Sequence, residues 1–286
     1  MKQVNLGGQA IFEGVMIVAP EKASMAVRKP DGTIDITQQP TSTFAKRHGW
    51  AKWPVVRGVV NLCTQLALGY RMLNRSMEIA LAEEGEEETS SGWMGVISAL
   101  FAVVLAVGLF MLLPTFLAGL LTASPTWLSV WEGVFRLVIF ALYLVAMSLS
   151  KDLRRVFMYH GAEHRVLHCI EHEVEPTVEN SKRFPVVHPR CGTSFLFLAM
   201  VVSIVVFSLF GRTSVLWLRL GLRIVLLPLV IGLSYEILKL AARSESWWAR
   251  ILRTPGLLLQ RLSTKVPTDD MIEVAAVAYK VASEDD

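Results

Sequence analysis

Charge is scarce in this chain. Asp, Glu, Lys and Arg make up 19% of its 286 residues, against about a quarter in soluble domains. Cysteine is scarce too: Cys63, Cys169 and Cys191 are odd in number and widely spaced, which excludes a disulfide framework. The net charge of +3 is too small to mark a nucleic-acid binder. Gly7-Gly8 lacks the rest of a nucleotide-binding loop. The stretch Met1–Gly8 holds no apolar run, so no cleavable signal peptide is expected. Repeats and low-complexity segments are missing as well. What fills the space is apolar: 53% hydrophobic residues, with 13 Phe, 11 Met and 8 Trp, and a mean hydropathy of +0.46. A disordered chain and an ordinary soluble domain are both excluded.

Four stretches predict membrane spans, each needing about 20 apolar residues. Val96–Leu121 is uncharged, with Pro114 inside it as an expected kink. Gly133–Ser150 carries one charge, Arg136. Cys191–Gly211 is uncharged, with Ser194–Phe210 as its core. Trp217–Leu240 is long enough if Arg219 and Arg223 snorkel at one end and Glu236 and Lys239 at the other. Lys and Arg set the expected orientation. Residues 1–95 carry ten, the 122–132 loop none, the 151–193 loop seven, the 211–223 loop three and residues 239–286 seven. This places both termini and the 151–193 loop in the cytoplasm. The run Glu83–Glu88 reads as a solvated linker.

The expected fold class is an all-α polytopic membrane protein with four transmembrane helices and a small α+β part at the N-terminus. Three regions are expected: 1–95, cytoplasmic α+β; 96–240, the membrane region with its histidine loop; and 241–286, a cytoplasmic helical tail. Ala23–Val27 and Thr33–Ile36 flank Lys29-Pro30-Asp31-Gly32 and predict a β-hairpin. Gly7–Ala10 and Glu13–Met16 suggest tight backbone geometry around one carboxylate. Residues 55–82 are helical by pattern, and Trp50, Trp53, Arg57, Arg71 and Arg75 suit an interfacial helix or an amphipathic one packed on the hairpin. Pro255-Gly256 is expected to break the helix after Trp247-Trp248, and Thr268 to cap a last one over Met271–Val281.

Five of the six histidines, His160, His164, His168, His172 and His188, fall in one window of 29 residues. His160-Gly161-Ala162-Glu163-His164 is H-x-x-E-H, the inverted zinc-protease motif. On a helix its two imidazoles share a face, and Glu163 is placed to serve as a general base. His160, His164 and His168 form one stripe about 12 Å long, too long for a single ion. Further ligands must come from elsewhere. His188-Pro189-Arg190-Cys191 offers His188 and Cys191, and Glu236 offers a carboxylate unless it pairs with Lys239. Two zinc sites are therefore open. A catalytic one uses His160, His164 and Glu236 with Glu163 as base; a structural one is closed by His164, His168, His188 and Cys191.

Gly7–Ala10, Glu13–Met16, Ala26–Gly32, Arg57-Gly58, Tyr159–His164, His188–Phe195, Tyr235-Glu236 and Pro255–Leu257 together resemble the YqhQ-like family of bacterial membrane proteins. The resemblance covers nearly the whole chain. It implies a domain of unknown function, described in places as a predicted metal-dependent enzyme, a description that derives from the same motif. Arg165 stands where the family usually has Lys, and Ile17-Val18 where it has Met-Arg. The residues support metal-assisted hydrolysis of a peptide or amide bond, by analogy with H-x-x-E-H proteases. The rival expectation is a non-catalytic factor with a structural metal that docks on a membrane complex such as a protein-translocation machine. A transporter ranks third, because the spans show almost no charge beyond Arg136 and Glu236.

Overall fold

The computed structural model describes residues 6–41, 44–81, 92–210, 215–244 and 246–283, so the acidic run Glu83–Glu88 lies outside the described residues. The chain opens with an antiparallel meander, β1 (Gly7–Ile11), β2 (Gly14–Val18), β3 (Lys22–Arg28) and β4 (Ile34–Pro40), in sheet order β1-β2-β3-β4. The expected hairpin is β3–β4, with Val27 opposite Asp35. In its turn the Asp31 carboxylate accepts from Thr33 N at 2.8 Å and Thr33 Oγ1 at 2.7 Å, which holds its pKa down. The glycine-rich segments before it are strands rather than isolated turns. They are five residues each; β2 is buried on both faces and β1 opens on two glycines, so neither carries a polar alternation that a period-2 reading detects.

The register sorts the sheet into two faces. Val15, Ile17 and Ala26 join a core with α6 (Lys151–Glu171) and α11 (Asp269–Ser283), through Tyr159, Ala162 and Val166 on one helix and Ile272, Ala275 and Ala278 on the other. Met16, Met25 and Val27 face the opposite way, onto Met72 and Ile79 of α2 (Val56–Leu81). Each large apolar side chain buried in these layers contributes roughly 1.5–3 kcal/mol. A short α1 (Phe44–Arg47) and a 3₁₀ turn (Gly49–Lys52) lead from β4 into α2. The sheet is thus clamped between helices from three distant parts of the chain, and α6, which carries the histidines, is one of them.

Four helices are long and apolar enough to cross a membrane: Val96–Leu121, Trp127–Leu149, Gly192–Phe210 and Trp217–Ala242. The first comprises α3 (Gly92–Val107), a π-helical turn (Gly108–Leu112) and α4 (Leu113–Leu121). Pro114 has no N–H for the carbonyl four residues back, Phe110 O, and Arg136 Nε donates to that oxygen at 2.9 Å. The others are α5 (Pro125–Leu149), α8 (Gly192–Phe210) and α9 (Leu216–Ala242). A short α7 (Val178–Lys182) follows α6, and α10 (Trp247–Ser263) precedes α11.

Two expectations are corrected. Arg219 and Arg223 do not snorkel outward: both are buried and both approach the carboxylate of Glu132 on α5, Arg223 in direct contact and Arg219 at 3.8 Å. The spans therefore hold more buried charge than Arg136 and Glu236, because α5 begins eight residues earlier than the span expected from Gly133 and takes in Glu132. Nor does Pro255-Gly256 end a helix: α10 runs through it. Gly256 lies against Ser194 of α8, and Gln260, one turn further on, is hydrogen-bonded to the same serine, so packing outweighs the local breaker.

Candidate metal centre

The centre is built on α6. Its outward stripe carries His160, His164 and His168 at four-residue intervals, so the three rings share a face. The segment Val186–Cys191, which leads into α8, lies along that stripe. One ring nitrogen each from His160 and His164 and the Cys191 sulfur lie within 4.8 Å of one another. His160 Nε2 is 3.2 Å from Cys191 Sγ.

Backbone carbonyls aim these rings. His160 Nδ1 donates to Ser263 O at 2.9 Å and His164 Nδ1 to Val186 O at 2.6 Å. A carbonyl only accepts, so both protons sit on Nδ1 and both Nε2 lone pairs are left for the centre. The Nε2 of His164 is buried without a hydrogen-bond partner. Ser263 O reaches His160 because residues 264–267 run tight against α6: a Cβ on Gly161 would lie 2.1 Å from Lys265 O, and only glycine admits that approach.

Glu163 lies beneath the pair, between α6 and β1. A Cβ on Gly8 would be 2.4 Å from its Oε1, so the glycine of β1 makes room for the carboxyl group. Burial pushes Glu163 up to about 8, eased by the neighbouring His160 and reinforced by Cys191. Its Oε2 has no hydrogen-bond partner. Burial and the adjacent His160 keep His164 well below the usual imidazole range, and burial raises the Cys191 thiol. Neutral imidazoles are the ligand form that a metal requires.

The remaining expected residues fall into two groups. His168 and His188 are close together, ring centroids 4.6 Å apart, and stand with Glu171 rather than with Cys191. The structure thus divides His164, His168, His188 and Cys191 between two clusters. Glu236 is in neither. Its carboxylate is held by Arg57 of α2, with Nε at 2.6 Å, and accepts from Val55 N at 3.3 Å, where φ is +70°. The arginine takes the place foreseen for Lys239 or a metal. Arg57-Gly58 and Tyr235-Glu236 meet as one contact: Gly58 faces Tyr235, whose hydroxyl accepts from Asn61 Nδ2 at 3.0 Å. Glu13 likewise binds Arg155 of α6, at 2.5 Å to each oxygen, so the N-terminal carboxylate motif ties the sheet to the histidine helix.

Gln260 of α10 was not foreseen from sequence. Fully buried, it accepts from His188 N at 2.7 Å and donates to His188 O at 2.9 Å and to Ser194 Oγ at 3.0 Å, pinning the strand that delivers Cys191. A glutamine on an otherwise amphipathic helix gives no local signal of such a role.

The donor set fits a metal ion. Two imidazoles with fixed tautomers, one with an orphaned nitrogen, converge on a thiol and leave a carboxyl group alongside. Fold and cluster together define a class: a mostly helical protein with four helices long and apolar enough to cross a membrane, whose sheet-backed helix brings two histidines and a cysteine together beside a glutamate. The chain belongs to the family described as protein of unknown function (DUF1385), whose model matches residues 53–285. It is 35% identical to the uncharacterized protein YqhQ of Bacillus subtilis (strain 168) over 292 residues, covering 96% of this chain and 90% of the relative. No solved structure matches.

Proposed function

We propose that this is an integral inner-membrane protein that hydrolyses a peptide or amide bond at the cytoplasmic face, with zinc held by His160, His164 and Cys191. The observation that carries the reading is the convergence of three donors, two of them fixed by Ser263 O and Val186 O, beside a carboxyl group that is not needed as a ligand. A three-ligand zinc site with a free position is the catalytic pattern. Zinc bound there supplies Lewis acidity and lowers the pKa of water towards 7. Glu163 then accepts a proton at its unpartnered Oε2 and returns it to the leaving nitrogen. Burial, which raises its pKa to about 8, suits the second of these steps, the return of the proton.

One observation favours a second reading. Glu163 is only 4% exposed and β1 lies directly over it. A closed centre of that kind suits a structural metal in a scaffold that docks on a membrane complex. The substitution Glu163→Gln separates the two. In the hydrolase it keeps fold and zinc but loses complementation, whereas His164→Ala loses zinc as well. A folded, zinc-loaded Glu163→Gln protein that complements fully would exclude the hydrolase and leave the scaffold.

A further inference from the structure

His168, Glu171 and His188 lie beside the first cluster without belonging to it. His168 and Glu171 are three residues apart on α6 and share a face. His188 enters from the opposing segment, its ring 5.6 Å from that of His164, centroid to centroid. All three are more than nine-tenths buried, at 7, 4 and 2% exposure. One donor atom from each lies within 4.8 Å of the other two.

The two imidazole nitrogens that face the carboxylate are without hydrogen bonds. His168 Nε2 donates to Val187 O at 3.0 Å, which leaves Nδ1 as a bare lone pair. His188 Nε2 has no hydrogen bond and stands 3.2 Å from Glu171 Oε1, an oxygen that Arg190 contacts. Buried polar atoms are ordinarily bonded, and two unbonded imidazole nitrogens beside one carboxylate need an explanation. Arg190 ion-pairs with Glu171 Oε1, and its backbone N–H points to His188 Nδ1 at 3.3 Å. It offsets the carboxylate charge but gives His168 Nδ1 nothing. The Arg190 side chain is 32% exposed, so it can turn towards solvent. Burial holds His168 and His188 at about 4, so both rings are neutral; the long Arg190 N–H contact at His188 Nδ1 must break for that ring to carry its proton on Nδ1 and offer Nε2.

We propose that His168, Glu171 and His188 form a second divalent-cation site, adjacent to the His160–His164–Cys191 centre and separate from it. Its donors are two imidazoles and one carboxylate, with no sulfur. That set suits zinc or ferrous iron, whereas the neighbouring thiolate set favours zinc. The site does not depend on the hydrolase reading.

Cobalt(II) distinguishes the two sites, because only the Cys191 site produces thiolate-to-cobalt charge-transfer absorption. Full-length protein in detergent, stripped with a chelator and titrated with Co²⁺, should take up two equivalents per chain. His168→Gln and Glu171→Gln should each reduce this to one and keep the charge-transfer band. Cys191→Ser should remove that band and keep one equivalent with d–d absorption alone. If Glu171→Gln does not fold because Arg190 is stranded, His168→Gln carries the test, with circular dichroism as the check on folding. A wild-type uptake of one equivalent with its charge-transfer band, unchanged by His168→Gln, would overturn the proposal and identify the pocket as holding only water. One equivalent without that band, lost in His168→Gln, would support this site and remove the first.

Discussion

Replacing Gln260 with leucine probes the least legible part of the centre. The side chain is fully buried and makes three hydrogen bonds, two to the backbone of His188 and one to Ser194. Leucine has similar bulk, so the packing loss is small, but it strands His188 N and His188 O. Each stranded buried group costs about 1–3 kcal/mol, so the substitution should cost about 2–6 kcal/mol. That is a large part of a typical stability of about 5–15 kcal/mol. Ser194→Ala removes one of the three bonds and should cost about 1 kcal/mol. The loosened segment carries Val186 O, which orients His164, and Cys191 itself. Zinc affinity should therefore fall roughly 10–100-fold, as for other groups that orient metal ligands. Thermal unfolding of the detergent-purified protein and chelator competition for zinc measure the two effects. If Gln260→Leu melts no lower than Ser194→Ala and binds zinc as tightly as the wild type, Gln260 does not hold the ligand segment and the reasoning fails.

Two further outcomes are expected. Glu132→Gln or Arg223→Gln should each lower thermal stability by about 3–5 kcal/mol, because each strands a buried charge, while the double substitution should recover part of the loss; strictly additive losses would show that the pair is not coupled. A cysteine introduced at the exposed Glu179 should be shielded from an impermeant thiol reagent in intact cells and one at the exposed Ser124 labelled, and the reverse pattern would put the histidine helix on the other side of the membrane.

Much of the architecture is written locally. Uninterrupted apolar length marks the four candidate spans, because a helix long enough to cross hydrocarbon needs no partner to be recognised. The β3–β4 hairpin is legible through Asp31-Gly32, and α6 brings His160, His164 and His168 onto one stripe through a period that any helix imposes. Spacing also shows that this stripe is too long for one ion. Which atoms meet is a different matter. Cys191 reaches His160 from 31 residues away, Arg57 takes Glu236 from 179, and Gln260 holds His188 from 72. No periodicity links such positions, and a carboxylate beside a lysine in sequence gives no sign that an arginine on another helix will claim it. Glu132 and the two arginines of α9 show the same limit within the spans, where low dielectric forces charges to find one another across helices. The division of the histidines into two clusters was likewise settled by the Val186–Cys191 segment, whose Val186 and Val187 carbonyls choose which ring nitrogen His164 and His168 leave free.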